Sequence, residues 1–291
     1  MKKLWTLVLL SILFKSCTNL PQKTVKNGTE EKEQILKYPV VLVHGIIAHD
    51  RDSIIDFWGR IPDTLNSFGI KVFLGNTDAW GSFESNAQLL KETIDKVLLE
   101  TQSEKVNIIA HSKGGLDSRF LIWNYNYGGK VASLTTISTP HHGAELADLI
   151  FQQKIVHTNA ARKALEIYGQ MTGDVNPDLY SVNSQLTTEN MKEFNRKVIT
   201  DENVYYQSYY TTMKNAFADM MHFTNYLSIK KISGANDGVV SEVSARWSDN
   251  ITKIENISHT EIIDYKKRDI SGVHIPDIYM DIVRGLGKKG F

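Results

Sequence analysis

A serine, an aspartate and a histidine stand in this chain in an order that suits acyl transfer. Ser112 lies in Ala110-His111-Ser112-Lys113-Gly114, between the extended-type run "KVNIIAH" and the helical pattern "GGLDSRFLIWNY". A strand that turns into a helix at a serine forces that serine to positive φ and lifts its hydroxyl above the strand ends. Strand and helix then approach closely, so the positions two before and two after it must be small. They are Ala110 and Gly114; alanine carries one methyl more than the glycine usual at the first of them. The turn also aims the first helical N–H groups at the serine, so the Lys113 N–H is expected to donate to an oxyanion.

A serine hydroxyl is a weak nucleophile until a base takes its proton. Downstream, Asp237 stands in "GANDGVVS" and His259 in "ENISHTEIID", 22 residues later. Both are expected just past strands, at the edge where α/β sites assemble. His274, in "SGVHIPD", is the rival base; His141, His142 and His222 fit the chain order less well. The second oxyanion donor is expected after the first buried strand, at the Ile46 N–H, where Gly45 lets the backbone turn. Such a donor contributes about 3 kcal/mol to a transition state. Ile46 and Lys113 would act through the main chain, so their side chains are expected to vary freely. His44 reads as a residue that holds this loop.

The elements that must position these residues follow the rhythm of a parallel sheet. "YPVVLVHG", "IKVFLGN", "KVNIIAH" and "KVASLTTIST" read as strands, the first as a run buried on both faces. "DFWGRIPDTLNSFG", the stretch from Ser85 to Thr101 and "GGLDSRFLIWNY" read as the helices between them. Alternation of this kind predicts an α/β fold with right-handed crossovers. From about 143 to 225 the pattern turns mostly helical and predicts a cap inserted into the sheet. It contains "AELADLIFQQKIV", "NAARKALEIYGQM" and "TTENMKEFNRKV", and then an extended aromatic run, "VYYQSYYTT". Leu146, Leu149, Ile150 and Phe151 form one apolar stripe, and Ala164, Leu165, Ile167 and Tyr168 a second. Either could line an acyl pocket in a movable lid or simply face a core. Strands are expected again at "IKKISGANDG" and "ITKIENIS", and a last helix at "IPDIYMDIVRGL".

The chain has 291 residues, 42% of them hydrophobic, and equal numbers of basic and acidic side chains, 33 each. That length suits one α/β domain with an insertion. Zero net charge gives no electrostatic footprint for nucleic acid, so none is expected as a partner. Residues 1–17 read as an export signal: Lys2 and Lys3, then an eleven-residue apolar run, Leu4 to Phe14, too short to span a bilayer comfortably. The single cysteine, Cys17, follows and cannot form an intramolecular disulfide. Its position suggests a lipidated N-terminus and attachment to the cell envelope. Cleaved export to the medium and an uncleaved anchor are the alternatives, because Lys15 suits a lipidation site poorly. Residues 18–37 read as a polar tether and residues 38–291 as the folded domain.

With these motifs assembled, the chain resembles the bacterial triacylglycerol lipases of the α/β-hydrolase fold, the secreted lipases typified by those of Pseudomonas and Burkholderia. The resemblance runs from about Tyr38 to Leu286. It rests on "YPVVLVHG", "AHSKGGLDSR", "TTISTPHHG", "LTTENMKEFN" and "NDGVVS", in that order. It implies Ser112 as nucleophile, His259 as base, Asp237 as its orienter, and Ile46 and Lys113 as the oxyanion hole. It implies no cofactor for the chemistry. It does imply a structural calcium site, for which Asp219 and Glu261 are the two carboxylates suited to a hard cation. Tyr265, where a further oxygen ligand would fall, is a poor one. The expected function is a serine carboxylic-ester hydrolase acting on acylglycerols. A short-chain esterase or a phospholipase is the alternative, and a non-catalytic lipid-binding lipoprotein is the rival of another class. Oligomeric state is open at this point.

Overall fold

The computed structural model describes residues 35–46, 56–163 and 174–291. Cys17 and the stretches read as export signal and tether, up to residue 34, lie outside these residues, as do Ala164, Leu165, Ile167 and Tyr168. Strand β1, Val40–Val43, is buried throughout. Val40 and Leu42 join the core on one face of the sheet and Val41 and Val43 the core on the other. A strand covered on both sides needs apolar residues at consecutive positions, hence the unbroken run in the sequence.

Helix α1, Ile61–Ser67, and strand β2, Val72–Leu74, follow. Then come helix α2, Phe83–Thr101, strand β3, Val106–His111, helix α3, Lys113–Asn124, and strand β4, Val131–Ile137. Ser82 caps α2 by accepting the Ser85 N–H at 3.2 Å. Helices α4, Glu145–Phe151, α5, Leu179–Gln185, and α6, Thr188–Lys197, precede strand β5, Tyr205–Thr212. The chain continues through helix α7, Phe223–Ser233, the short helix α8, Glu242–Ala245, strand β6, Ile251–Glu255, and helix α9, Ile275–Gly287. The six strands form one parallel sheet in the order β2-β1-β3-β4-β5-β6. Helices α2 and α3 cover one face, through Leu90, Ile94, Leu116 and Leu121. Helices α1 and α9 cover the other, through Ile61, Leu65, Tyr279 and Val283. This is the α/β-hydrolase architecture.

Two elements differ from the sequence reading. "VYYQSYYTT" is an inner strand of the sheet, paired with β4 and β6, so the interval 143–225 is a helical segment followed by a sheet strand. Its polar side chains are satisfied across the sheet: the Gln207 amide donates to Thr135 Oγ1 at 2.8 Å, and Thr136 Oγ1 donates to Ser208 Oγ at 3.2 Å. "IKKIS" is the end of helix α7, and Asp237 therefore follows a helix. Phe223, Tyr226 and Ile229 recur every third residue; Tyr226 and Ile229 are buried, and Lys230 and Lys231 fall in the last turn, where the helix dipole favours cations.

The first part of the insertion is fastened at its two ends, Glu145 and Asp174. Glu145 accepts the Ser241 hydroxyl at 2.6 Å, and the Ser244 hydroxyl donates to the Gly143 carbonyl. At the far end two aspartates clasp reciprocally. Asp174 accepts the N–H groups of Ala79 and Trp80 at 3.0 and 2.7 Å, and Asp78 accepts those of Val175 and Asn176 at 3.0 and 2.7 Å. The Leu146–Phe151 stripe does not face the core: Leu149 is 38% and Ile150 43% exposed.

Candidate active site

Ser112 occupies the joint between β3 and α3 at φ 53° and ψ −131°. A residue with a Cβ holds such a backbone only where its surroundings impose it, at a cost of about 1–3 kcal/mol. Those surroundings are tight. A Cβ on Gly114 would lie 2.6 Å from the Val43 carbonyl oxygen and closer still to that of His44. A Cβ on Gly45 would lie 2.7 Å from the Ser112 Cβ. Both positions therefore exclude larger residues, and the loop after β1 lies directly against the serine.

Around Ser112 three side chains form one buried hydrogen-bonded chain. Ser112 Oγ is 3.0 Å from His259 Nε2, and His259 Nδ1 is 2.8 Å from Asp237 Oδ2. With Nδ1 donating to the carboxylate, Nε2 is the acceptor for the serine proton. All three residues are 5% exposed or less. Asp237 is held in turn: the N–H groups of Val239 and Val240 donate to Oδ1 at 3.0 and 2.8 Å, and Thr211 Oγ1 donates to Oδ2 at 3.2 Å. Burial alone would raise the Asp237 carboxyl. The His259 imidazole and the two N–H groups outweigh it and hold the carboxyl below its usual range.

The other histidines separate clearly. His274 pairs with Asp269 at 2.9 Å on the exposed side of the entry to α9. His141 is buried, accepts from Arg119 at 3.1 Å and stacks on Trp247; burial and the Arg119 charge keep it neutral. His142 is exposed and lies 3.1 Å from the Arg246 carbonyl oxygen. His222 supports the histidine loop through Thr260 Oγ1 at 3.0 Å. His44 holds its loop as expected, with Nδ1 2.7 Å from the Gly45 carbonyl oxygen and Nε2 3.0 Å from that of Thr77. The sequence reading passed over His111. Its Nε2–H donates to the His259 carbonyl at 3.0 Å, and its ring lies 4.5 Å from the His259 ring. Burial, then the neighbouring His259, keeps it neutral.

Of the two expected oxyanion donors, Lys113 is the first residue of α3, where the N–H has no acceptor within the helix. Ile46 follows Gly45 and is half-buried against the core. The Lys113 side chain is not free to vary. Its ammonium donates to both oxygens of Asp117 at 2.7 and 2.9 Å, and Asn86 donates to Asp117 at 2.9 Å. Helix α3 is buried on all sides, so a lysine there must carry its own counter-charge one turn away.

Asp219 and Glu261 lie together, but the ammonium of Lys266 stands with them, 3.4 Å from Asp219 and 3.9 Å from Glu261. Among the described residues no group of three or more His, Cys, Asp or Glu side chains could hold a metal ion.

A sequence model of the family described as palmitoyl protein thioesterase matches residues 39–264. Triacylglycerol lipase 2 of Saccharomyces cerevisiae is 30% identical over 256 residues, which cover 81% of this chain and 75% of the yeast protein. A triacylglycerol lipase of Pseudarthrobacter phenanthrenivorans is 39% identical over 127 residues, 42% of this chain and 39% of that protein. Among solved structures, the mature form of a Bacillus licheniformis lipase superposes with a TM-score of 0.62 at 22% identity, covering 85% of this chain and 92% of that one. At that identity the superposition establishes the fold. The chain belongs to the family that the thioesterase model describes and to the triacylglycerol lipases, hydrolases of the lipase and esterase type.

Proposed function

We propose that the chain hydrolyses carboxylic esters of lipids through an acyl-enzyme on Ser112. The observation that carries this reading is the unbroken chain from Ser112 Oγ through His259 to Asp237, set at a serine of positive φ. His259 Nε2 takes the serine proton as Oγ adds to the ester carbonyl. Asp237 keeps the imidazole in the tautomer that can accept this proton and stabilises the imidazolium formed. The N–H groups of Ile46 and Lys113 receive the developing oxyanion. The imidazolium then protonates the leaving alcohol, and the same nitrogen activates water to release the acid.

An apolar substrate suits the surface of the cap. Leu149, Ile150, Ile155 and Val175 are exposed there, as are Phe217, Met220, Met221 and Leu227 on and before α7, which packs against α4. Exposed apolar side chains grouped in this way mark a surface for lipid or protein. The experiment is a fluorophosphonate label located by peptide mapping, with hydrolysis rates over a nitrophenyl ester series of rising chain length. Label on any residue other than Ser112, or none, ends this reading.

The matching family model favours a second reading, thioester hydrolysis. The same acyl-enzyme serves it, with a thiol as leaving group. Paired acyl esters and thioesters of one chain length separate the two by their kcat/KM ratio.

The site of action we place at the cell envelope, through lipid on Cys17. The apolar run before the chain's single cysteine supports this. Metabolic labelling with a palmitate analogue tests it: label on the wild type and none on Cys17→Ser is expected, and label retained in the variant refutes it.

A further inference from the structure

One cluster of charged side chains grips the loop that carries His259 without touching the proton path. Asp219 accepts the Ser258 hydroxyl at 2.7 Å and the Thr260 hydroxyl at 3.4 Å, so it holds the residue on each side of His259. Glu261 accepts the Ser258 N–H at 3.1 Å. The side chains of both acids are 4% exposed. Two buried carboxylates side by side repel each other and would spread the loop. The Lys266 ammonium answers them, 3.4 Å from both Asp219 oxygens and 3.9 Å from Glu261 Oε1. The backbone delivers it by a turn with positive φ at Asp264 and Lys267, and Asp264 is pinned by the Arg60 guanidinium at 2.8 Å.

This arrangement does not fit the calcium ion that the family resemblance implies. Calcium takes about six to eight oxygens at about 2.3–2.6 Å. Here the carboxylates already face a fixed positive charge, and the neighbouring Tyr265 ring packs against the core instead of offering an oxygen.

We propose that Lys266 is a built-in cation that does the work of a structural metal, making it a positioning residue for His259 and the enzyme's activity independent of calcium. The proposal rests on the reading of His259 as the base. That reading fails separately, by an active His259→Ala, whereas this one fails by the metal response of the wild type.

The experiment compares the wild type, Lys266→Ala and Lys266→Arg on a soluble nitrophenyl ester, in EDTA and in millimolar calcium. The wild type should show the same kcat, KM and melting temperature in both. Lys266→Ala should lose about tenfold in kcat, the size of one charge-assisted hydrogen bond, with KM little changed. Lys266→Arg should keep most of the activity without calcium. A wild type that loses activity in EDTA and regains it with calcium overturns the proposal. So does a Lys266→Ala enzyme with wild-type kcat, or a Lys266→Arg enzyme no better than Lys266→Ala. If Lys266→Ala does not fold, the wild-type response and Lys266→Arg decide.

Discussion

His111 and His259 face each other at 4.5 Å, and the first donates to the main-chain carbonyl of the second at 3.0 Å. The residue before Ser112 thus holds the loop that carries His259. Its bond reaches the backbone of His259, so it fixes where the imidazole sits without sharing its proton. Replacing His111 by phenylalanine keeps a ring and removes the donor. The loss of one net hydrogen bond, about 1 kcal/mol, should lower kcat by about five- to tenfold with KM unchanged. Steady-state kinetics and the rate of fluorophosphonate labelling check this, and an unchanged labelling rate would remove His111 from the site.

The strained backbone at Ser112 makes a second prediction. Both Ser112→Ala and Ser112→Gly remove the hydroxyl, and turnover should fall by about a million-fold in each. Only glycine relieves the positive φ. Set against its greater entropy in the unfolded chain, the net gain over alanine should be about 1 kcal/mol. Calorimetry should therefore find Ser112→Gly melting about 2–4 °C above Ser112→Ala. Equal melting temperatures would mean that the turn stores no strain.

The pair Lys113–Asp117 should behave as a buried ion pair. Asp117→Leu leaves the Lys113 ammonium at 1% exposure with no carboxylate, at a cost of about 3–5 kcal/mol. The double variant Lys113→Met with Asp117→Leu should regain most of that loss. Urea unfolding of the four-member cycle measures the coupling. Additive losses would show that the two side chains act independently.

Asp237 gives a pH prediction of definite sign. Its folded carboxyl lies below its ordinary value, so its contribution to stability is complete above the unfolded value of about 3.9 and is lost as pH falls through the lower folded value. The difference in melting temperature between the wild type and Asp237→Asn should shrink as pH falls below about 4. A difference that does not shrink over that acid range would contradict the lowered carboxyl.

Much of this architecture is legible in the sequence because apolar periodicity reports it. The continuous runs of β1, β3 and β4 mark strands buried on both faces, and Ala110 and Gly114 flank the serine where close packing demands small residues. Strand β5 reads as extended, but its place inside the sheet escapes that signal because it is buried there with polar side chains, Gln207, Ser208 and Thr211, which hydrogen-bond across the sheet. The end of α7 escapes because Ile229-Lys230-Lys231-Ile232 is too short to distinguish periods of two and 3.6. Long-range partners are the least legible. Nothing local tells that Lys266 meets Asp219, 47 residues away, or that His111 meets the backbone of His259.

The fastenings at Glu145–Ser241 and Asp78–Asp174 have a consequence for how such a chain diversifies. They fix the two ends of the intervening stretch to the body of the fold, each through bonds that do not involve Ser112 or His259. A stretch secured at both ends can change length and composition while the machinery beneath keeps its geometry. The chain between the two anchor points can therefore be exchanged without disturbing either anchor. Grafting the corresponding stretch of another lipase between these two anchor points should transfer chain-length preference while leaving reactivity toward a small soluble ester intact.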